Sequence, residues 1–377
     1  MRRIGISLSI LLFITASCSE FQQAVKDAKK DAVPPPKDNY IVLLDLSDRI
    51  LRDNQQQISK DLTVIKTIFE TFKSNINSKD PMHLYFTVND KMKVLVAPQI
   101  STPSRVYEMA GQLRVELAAE QPQEKAALVT ESEKTFNTVL PELYKQAVLG
   151  KTSAAYSGAD IWKYFEEDLA GDLDNTATNT LFIITDGYMD FEKGIERPQQ
   201  NNRFTSISLI INQLKKDPEW NSKFDKEDFG IITLGKKFPN LRIVLLAIDP
   251  KQEWSGEYNL LTRIWGKWFS EMGVDTFSFV KNDNVNEIKE SIEKFMQVNI
   301  SGKMQPAKWT AVLPDSASHV ISETLAEANP NDKSFKKKDE SVALANGDQN
   351  IPGKTTKKKQ LANKLIKNDQ VSFGPAY

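Results

Sequence analysis

Two apolar stretches of this chain each lead into a short polar segment that contains an aspartate. Residues 40–44 lead into Asp45 and Ser47, and residues 181–184 lead, through one threonine, into Asp186. In an open parallel sheet, ligands bind outside the carboxyl ends of the strands, near the point where the strand order reverses. Two acidic strand ends of this kind could therefore build one site for a metal ion or a polar ligand.

Further carboxylates lie close to both of these ends. Asp48 follows the first stretch and Asp190 follows the second. Several carboxylates at one place repel each other unless a cation or a basic group compensates them. Taken singly, Asp48 and Asp190 are interpreted as solvated loop residues.

A long helix is expected directly after the first acidic segment. Apolar residues recur at three- or four-residue intervals, beginning with Ile58, Leu62 and Ile65. This spacing predicts an amphipathic helix over residues 53–78 that covers one face of a sheet. Further helices are predicted from about residue 157, over residues 261–272, and over residues 285–295.

Strands alternate with these helices. Residues 82–88 and 91–96 predict a hairpin around a short polar turn, and residues 276–280 predict a final strand. Residues 241–248 form another apolar strand, which ends before Pro250 because proline cannot continue the ladder. Repeated alternation predicts an α/β fold with a doubly wound, mainly parallel sheet and helices on both faces.

Tryptophan residues mark the helix predicted over residues 261–272. Trp265 and Trp268 belong to an apolar stripe at helical spacing. Such a stripe could serve as a carbohydrate platform, but at this spacing we interpret it as core.

The start of the chain indicates export from the cytoplasm. Residues 1–17 combine two arginines with an apolar stretch that is too short to span a bilayer, as in a secretion signal peptide. They end in Thr-Ala-Ser before Cys18, which resembles a bacterial lipobox, with Thr15 where leucine is usual. The resemblance implies that Cys18 is lipidated and begins the mature protein. The alternative is an ordinary signal peptide with an incidental cysteine.

Polar segments flank the predicted domain. Residues 18–38 include three consecutive prolines and predict a semi-rigid tether between lipid and domain. Residues 301–377 contain few apolar residues and two lysine triplets, so they predict a mostly disordered tail with a short helix over residues 318–328. The triplets could bind anionic polymers or lipid head groups, but we favour a solvated tail. A net charge of −1 gives no general reason to expect nucleic acid.

The element order, with Asp-x-Ser after the first strand and Asp-Gly after a later one, resembles the von Willebrand factor A-type domain. The resemblance covers residues 39–300, with helical insertions near residues 103–149 and 191–237. It implies a divalent cation, Mg²⁺ or Mn²⁺, held on top of the sheet by three loops. The family carries Asp-x-Ser-x-Ser in the first loop, threonine in the second, and aspartate followed by glycine in the third.

The resemblance assigns residues of this chain to those loops. Asp45 and Ser47 match the first loop and Asp186 matches the third. In the second loop Ser157 is the nearest match and could supply the hydroxyl of the missing threonine. Thr152 and Ser153 compete with Ser157 for this role.

Arg49 stands where the family has its second serine. A guanidinium group has no lone pair to offer and repels a nearby cation. We weigh two outcomes. Either Arg49 turns outward and leaves Asp45, Ser47, Ser157, Asp186 and water to hold Mg²⁺, or Arg49 or another basic group pairs with Asp45 and Asp186 and replaces the charge of the metal.

These features predict a non-enzymatic adhesion or assembly module, lipid-anchored in the bacterial cell envelope at the outer membrane. It would face the periplasm or the surface and bind a protein partner. One alternative is a Mg²⁺-dependent phosphohydrolase. Haloacid-dehalogenase-type phosphatases resemble this layout, but they need an aspartate where Ser47 stands. The other alternative is a cell-envelope ligand receptor, although only one sheet domain is visible. The sequence contains no P-loop, GxSxG or HExxH motif.

Overall fold

The computed structural model describes residues 36–79, 87–99, 102–149, 151, 158–190, 201–251 and 254–296. The predictions for the signal peptide, Cys18, most of the tether and the lysine-rich tail fall on residues outside these ranges. They remain predictions.

A six-stranded sheet forms the centre of the described domain, with the order β3-β2-β1-β4-β7-β8. All neighbouring strands in it are parallel except β3, which runs antiparallel to β2 at one edge. Two further short strands, β5 and β6, pair separately. The strands are β1 (Asp38–Leu44), β2 (Lys91–Val96), β3 (Arg114–Glu116), β4 (Thr178–Ile184), β5 (Arg203–Phe204), β6 (Gly230–Ile231), β7 (Leu241–Ile248) and β8 (Thr276–Lys281).

Helices connect these strands and cover both faces of the sheet, which confirms the predicted doubly wound α/β fold. The long helix predicted from residue 53 begins slightly later, after a 3₁₀ turn over Asp48–Gln55. The helices are α1 (Gln56–Lys79), α2 (Ser104–Gln112), α3 (Lys125–Val148), α4 (Ile161–Lys163, a π turn over Tyr164–Asp168, and Leu169–Asp172), α5 (Ile207–Leu214), α6 (Trp220–Lys226), α7 (Glu257–Glu271) and α8 (Val285–Met296).

The sheet divides the core into two layers because successive side chains of a strand point to opposite faces. From β1, Tyr40, Val42 and Leu44 enter the layer that includes α1, α3 and α8. Ile41 and Leu43 enter the opposite layer with α4, α5 and α7. Both faces of β1 are buried, which explains why its sequence is continuously apolar instead of alternating.

The predicted hairpin is wrong. Val88 and the two residues after it form no strand, and residues 80–86 lie outside the described ranges. Lys91 at the start of β2 pairs with Asn39 of β1 on one side and with Glu116 of β3 on the other. Since both edges of β2 are occupied there, the antiparallel partner is β3, a short strand that the sequence analysis did not identify.

The tryptophan stripe of α7 belongs to the core. Trp265, Trp268 and Phe269 are fully buried in the second core layer. The interpretation as core is therefore confirmed, and the stripe offers no exposed carbohydrate platform. Across the described part of the chain, none of the helices combines the length and the apolar character that crossing a membrane requires.

Buried ion pairs close the amino edge of the sheet, where β1 begins. The Lys79 ammonium contacts Asp38 at 2.6 Å and Asp90 at 2.8 Å, and it donates to the Pro36 carbonyl at 2.8 Å. The side chains of Lys79 and Asp90 are 3% and 2% exposed. This cluster fastens the chain where it enters the first strand.

Candidate functional site

The ends of β1 and β4 lie side by side at the carboxyl edge of the sheet. Leu44 pairs with Ile184 in the parallel register. The Asp45 amide donates to the Ile184 carbonyl at 3.0 Å, so Asp45 and the Thr185–Asp186 segment leave the sheet together. The fold therefore brings the two predicted strand ends to adjacent positions.

The Asp45 carboxylate is fixed by both of its oxygens. Oδ1 accepts a hydrogen bond from the Ser47 amide at 2.9 Å, and Oδ2 accepts one from the Thr185 hydroxyl at 2.7 Å. The residue is only 1% exposed. Burial raises the pKa of Asp45, while the positive charge of Arg49 and the hydrogen bonds of Thr185 and Ser47 oppose the rise. The ionised carboxylate is therefore well positioned but incompletely compensated.

The Asp186 segment is held by a tight turn. Asp186 Oδ1 accepts from the Tyr188 amide at 3.1 Å, and the Gly187 carbonyl accepts from Trp265 Nε1 at 2.8 Å. Gly187 has φ +94°, a conformation that glycine adopts without strain. A Cβ at this position would also lie 3.2 Å from Cγ2 of Ile248. The backbone conformation thus requires the glycine at position 187, independently of any role of Asp186.

Arg49 adopts neither of the two predicted arrangements. It is buried, with 2% of its side chain exposed, and it forms a bidentate ion pair with Asp61 of α1. Nη1 and Nη2 lie 2.7 Å and 2.9 Å from the two carboxylate oxygens of Asp61. Nη1 also donates to the main-chain carbonyl of Asp45 at 3.2 Å. Arg49 turns inward because Asp61 provides a charged, planar acceptor that matches the guanidinium fork.

Asp61 is the centre of a buried polar network that the sequence analysis missed. Its carboxylate also accepts hydrogen bonds from Gln57 Nε2 at 2.8 Å and from the Tyr144 hydroxyl of α3 at 3.0 Å. Gln57 Oε1 in turn accepts from Asn282 Nδ2 at 2.7 Å. One signal was present in the sequence: Asp61 lies one turn before Ile65, within the buried stripe of the helix.

Asp190 caps a helix, so its interpretation as a solvated loop residue is wrong. Its Oδ1 accepts from the Ser206 hydroxyl at 2.5 Å and from the Ser208 amide at 3.1 Å, at the start of α5. The Ser208 hydroxyl donates to Oδ2. Capping of this kind satisfies amide groups that have no partner inside the helix. Asp48, for its part, begins the 3₁₀ turn after β1.

The second predicted loop is described only at its end. Ser157, Thr152 and Ser153 lie outside the described residues, and their assignment remains a prediction. Asp160, three residues after Ser157, is buried and caps α4 by accepting from the Lys163 amide at 2.8 Å. Its own amide donates to the Pro98 carbonyl beyond β2 at 2.7 Å, so this loop also reaches the carboxyl edge.

The described residues at this edge offer oxygen donors of the kind that Mg²⁺ prefers. Asp45 and Asp186 supply carboxylates, and Ser47 supplies a hydroxyl. Arg49 does not oppose a cation with its full charge because Asp61 pairs with it. No group of three or more His, Cys, Asp or Glu side chains in the described ranges is arranged to hold a metal. A site with two carboxylates and hydroxyl groups is of a different type, and Asp45, Asp186 and Ser47 supply donors of the chemical types that it needs.

Comparisons with known proteins identify no family. No protein-family model and no curated protein matches the sequence. Among solved structures, the chain is similar to proximal thread matrix protein 1 from the mussel byssus, with 12% identity and a TM-score of 0.29 over 70% of this chain and 47% of that one. It is also similar to the pilus adhesin SpaC from Lactobacillus rhamnosus GG, with 8% identity and a TM-score of 0.33 over 71% of this chain and 30% of that one.

The chain thus spans less than half the length of either structure. At these TM-scores the likenesses carry no functional argument. The mostly parallel sheet is compatible with an A-type domain and does not establish membership of that family.

Proposed function

We propose that this protein is a non-enzymatic binding module of adhesion or assembly type, and that the carboxyl edge of its sheet is the binding edge. The observation that carries the proposal is the adjacency of the Asp45 and Asp186 segments at the ends of β1 and β4. Ligand sites of open parallel sheets form at such ends.

In this proposal a divalent cation, Mg²⁺ or Mn²⁺, is held by Asp45, Ser47 and Asp186, with Ser157 as a further hydroxyl ligand. The cation supplies positive charge to the Asp45 and Asp186 carboxylates and a coordination position for a ligand oxygen. Asp45 is already oriented by Ser47 and Thr185, so little reorganisation is needed when a cation binds.

A binding role agrees better with the surroundings of Asp45 than catalysis does. In a phosphohydrolase the aspartate would have to reach the substrate phosphorus as a nucleophile. A haloacid-dehalogenase-type phosphatase also needs a second acid two residues after this nucleophile. Ser47 occupies the position where the expected second acid would stand.

The proposal includes attachment to the membrane through a lipid on Cys18, and a protein partner in the cell envelope. The tether would end at the amino edge of the sheet, where β1 begins at Asp38. The candidate site lies at the opposite end of β1. An anchor at the amino edge would therefore leave the carboxyl edge open to a partner.

Calorimetric titration of the mature chain with Mg²⁺ and Mn²⁺, in detergent micelles, tests the cation site. We expect saturable binding that Asp45→Ala and Asp186→Ala abolish. Asp174→Ala is the control, because Asp174 is a partly buried aspartate away from the candidate site, paired with Lys37 and Lys91 on the side of the sheet where β4 begins. Equal binding by all three variants would contradict the assignment.

Crosslinking in the native envelope tests the binding role itself. The partners captured by the wild-type chain should be lost in Asp45→Ala and kept in Asp174→Ala. A screen with phosphoester substrates distinguishes the enzymatic alternative: turnover that Asp45→Asn removes would replace binding by catalysis as the function.

A further inference from the structure

Arg49 places a positive charge in the loop that carries Asp45 and Ser47. Its Nη1 atom lies 3.2 Å from the Asp45 carbonyl oxygen, so the guanidinium is next to the proposed cation site. Two like charges at such separations repel strongly, and more so away from water. A lone arginine here would exclude a divalent cation.

Asp61 changes this balance because it pairs with the same guanidinium. Its carboxylate contacts Nη1 and Nη2 at 2.7 Å and 2.9 Å, and its side chain is 0% exposed. Gln57 and Tyr144 donate to the same two oxygens, so the carboxylate is held in one orientation. A close pair of opposite charges acts on its surroundings as a dipole, whose field falls off faster with distance than that of a single charge.

The ion pair also fixes the main chain of the site. Nη1 of Arg49 bridges the Asp61 carboxylate and the Asp45 carbonyl. The first residue of the first loop is thereby fastened to α1, and the backbone from which the Asp45 side chain projects is fastened with it.

We infer that Arg49 and Asp61 are positioning residues of the candidate site: the pair fixes the Asp45 main chain and cancels the Arg49 charge, so that a divalent cation can bind Asp45. This inference rests on the proposed cation site. Paired with Asp61, Arg49 is compatible with a bound cation, whereas an unpaired guanidinium would exclude one.

The inference predicts opposite effects for one and for two substitutions. Asp61→Asn leaves the guanidinium without its carboxylate partner and beside Asp45, so its charge competes with the cation. Adding Arg49→Met removes that charge again. A merely structural role would make the double variant no better at binding the cation than Asp61→Asn alone.

Titration of the mature chain with Mn²⁺, followed by electron paramagnetic resonance, tests this. We expect Asp61→Asn to weaken Mn²⁺ binding by at least about tenfold, because the unpaired guanidinium charge repels the cation even when solvent screens that repulsion. Arg49→Met/Asp61→Asn should bind at least about threefold more tightly than Asp61→Asn, because it removes the unpaired charge, and more weakly than wild type, because it also loses the bond from Arg49 to the Asp45 carbonyl. Tyr144→Phe is the matched control, because it removes a hydrogen bond to Asp61 and leaves both charges in place; its affinity should stay within about threefold of wild type.

Unchanged affinity in Asp61→Asn, or no recovery in the double variant, would overturn the inference and leave the proposed cation site standing. Absence of Mn²⁺ binding by the wild-type chain would overturn both. If Asp61→Asn is partly unfolded, the same titrations in trimethylamine N-oxide, which favours the compact state, keep the comparison on folded protein.

Discussion

Arg49, in the loop after β1, and Asp61, on α1, form a fully buried bidentate ion pair across 12 positions of the chain. The pair joins the first strand end to the helix that covers it. Hydrogen bonds from Gln57 and Tyr144 complete the coordination of the carboxylate. The resulting cluster is a polar core directly beneath the candidate site.

Breaking this pair from one side should be costly. Arg49→Met alone leaves the Asp61 carboxylate buried without its cation, and we expect the free energy of unfolding to fall by about 3–5 kcal/mol. Arg49→Met/Asp61→Leu removes both charges and should lose much less than the sum of the two single changes. Urea denaturation of the wild type, Arg49→Met, Asp61→Leu and the double variant measures the coupling. Additive losses would show that the two side chains act independently.

The burial of Asp45 predicts a stability that depends on pH in a defined direction. The folded-state pKa of Asp45 is raised above the value of about 3.9 in an unfolded chain, so the folded state holds this proton more tightly. The contribution of Asp45 to the free energy of unfolding therefore falls as pH rises from its unfolded-state pKa through its folded-state pKa. Asp45→Asn should be more stable than wild type at pH 7, and the difference should vanish as pH falls below the unfolded pKa.

Chemical denaturation of the wild type and of Asp45→Asn at a series of pH values between about 3 and 7 measures this difference in stability. Saturating Mg²⁺ should reverse it, because a cation that binds only the folded wild-type chain stabilises it, by about 2.7 kcal/mol at a concentration 100 times Kd. A variant that loses stability relative to wild type as pH rises would contradict the assigned direction.

The sequence predicted the framework of this protein better than its site. Continuous apolar strands and regular helical spacing identified β1, β4, β7 and α7, because both features report burial within one element. The predicted hairpin was wrong because strand pairing depends on residues that are distant in the sequence. The antiparallel neighbour of β2 is β3, in which Glu116 pairs with Lys91. Local turn chemistry favours a hairpin without excluding a different partner.

The site illustrates the same limit. Asp45 and Asp186 were located from the strands that precede them, but the fate of Arg49 depended on Asp61, a residue of the next element. An aspartate on the buried stripe of an amphipathic helix is a signal that some buried basic group must meet it. The position of Asp61 on that stripe thus indicates a buried partner, and the fold determines that the partner is Arg49.

The ion cluster at the amino edge should contribute strongly to stability. Lys79→Met leaves Asp90, 2% exposed, without its ammonium partner and should lower the free energy of unfolding by about 3–5 kcal/mol. Burial already raises the pKa of Asp90, and Lys79 opposes that rise. Without Lys79 the pKa should rise further, so the loss should shrink at acidic pH, where Asp90 binds a proton.

Lys73→Met is the matched control on the same helix. Lys73 pairs with Glu70 and Glu133, and all three side chains are considerably more exposed than Lys79. Exposed pairs contribute about 0–1 kcal/mol, so this change should be small. Thermal and urea unfolding of both variants compares them, and similar losses would show that burial does not distinguish the two lysines.

Two neighbouring tryptophans of α7 should respond differently to the same substitution. Trp265 Nε1 donates to the Gly187 carbonyl in the Asp186 segment, whereas Trp268 Nε1 is buried and has no hydrogen-bond partner within the described residues. Trp265→Phe loses packing and leaves the Gly187 carbonyl unsatisfied. Trp268→Phe loses similar packing but removes an unsatisfied donor. We expect Trp265→Phe to be less stable than Trp268→Phe by about 1–2 kcal/mol.

The functional consequence should follow the same order. Trp265 holds the turn that places Asp186, so Trp265→Phe should also weaken Mn²⁺ binding, while Trp268→Phe should leave it unchanged. Urea denaturation measures the stabilities, and Mn²⁺ titration measures the affinities. Equal affinities in the two variants would mean that the turn at Gly187 keeps its geometry without Trp265, and that Asp186 is positioned by the β4 strand end alone.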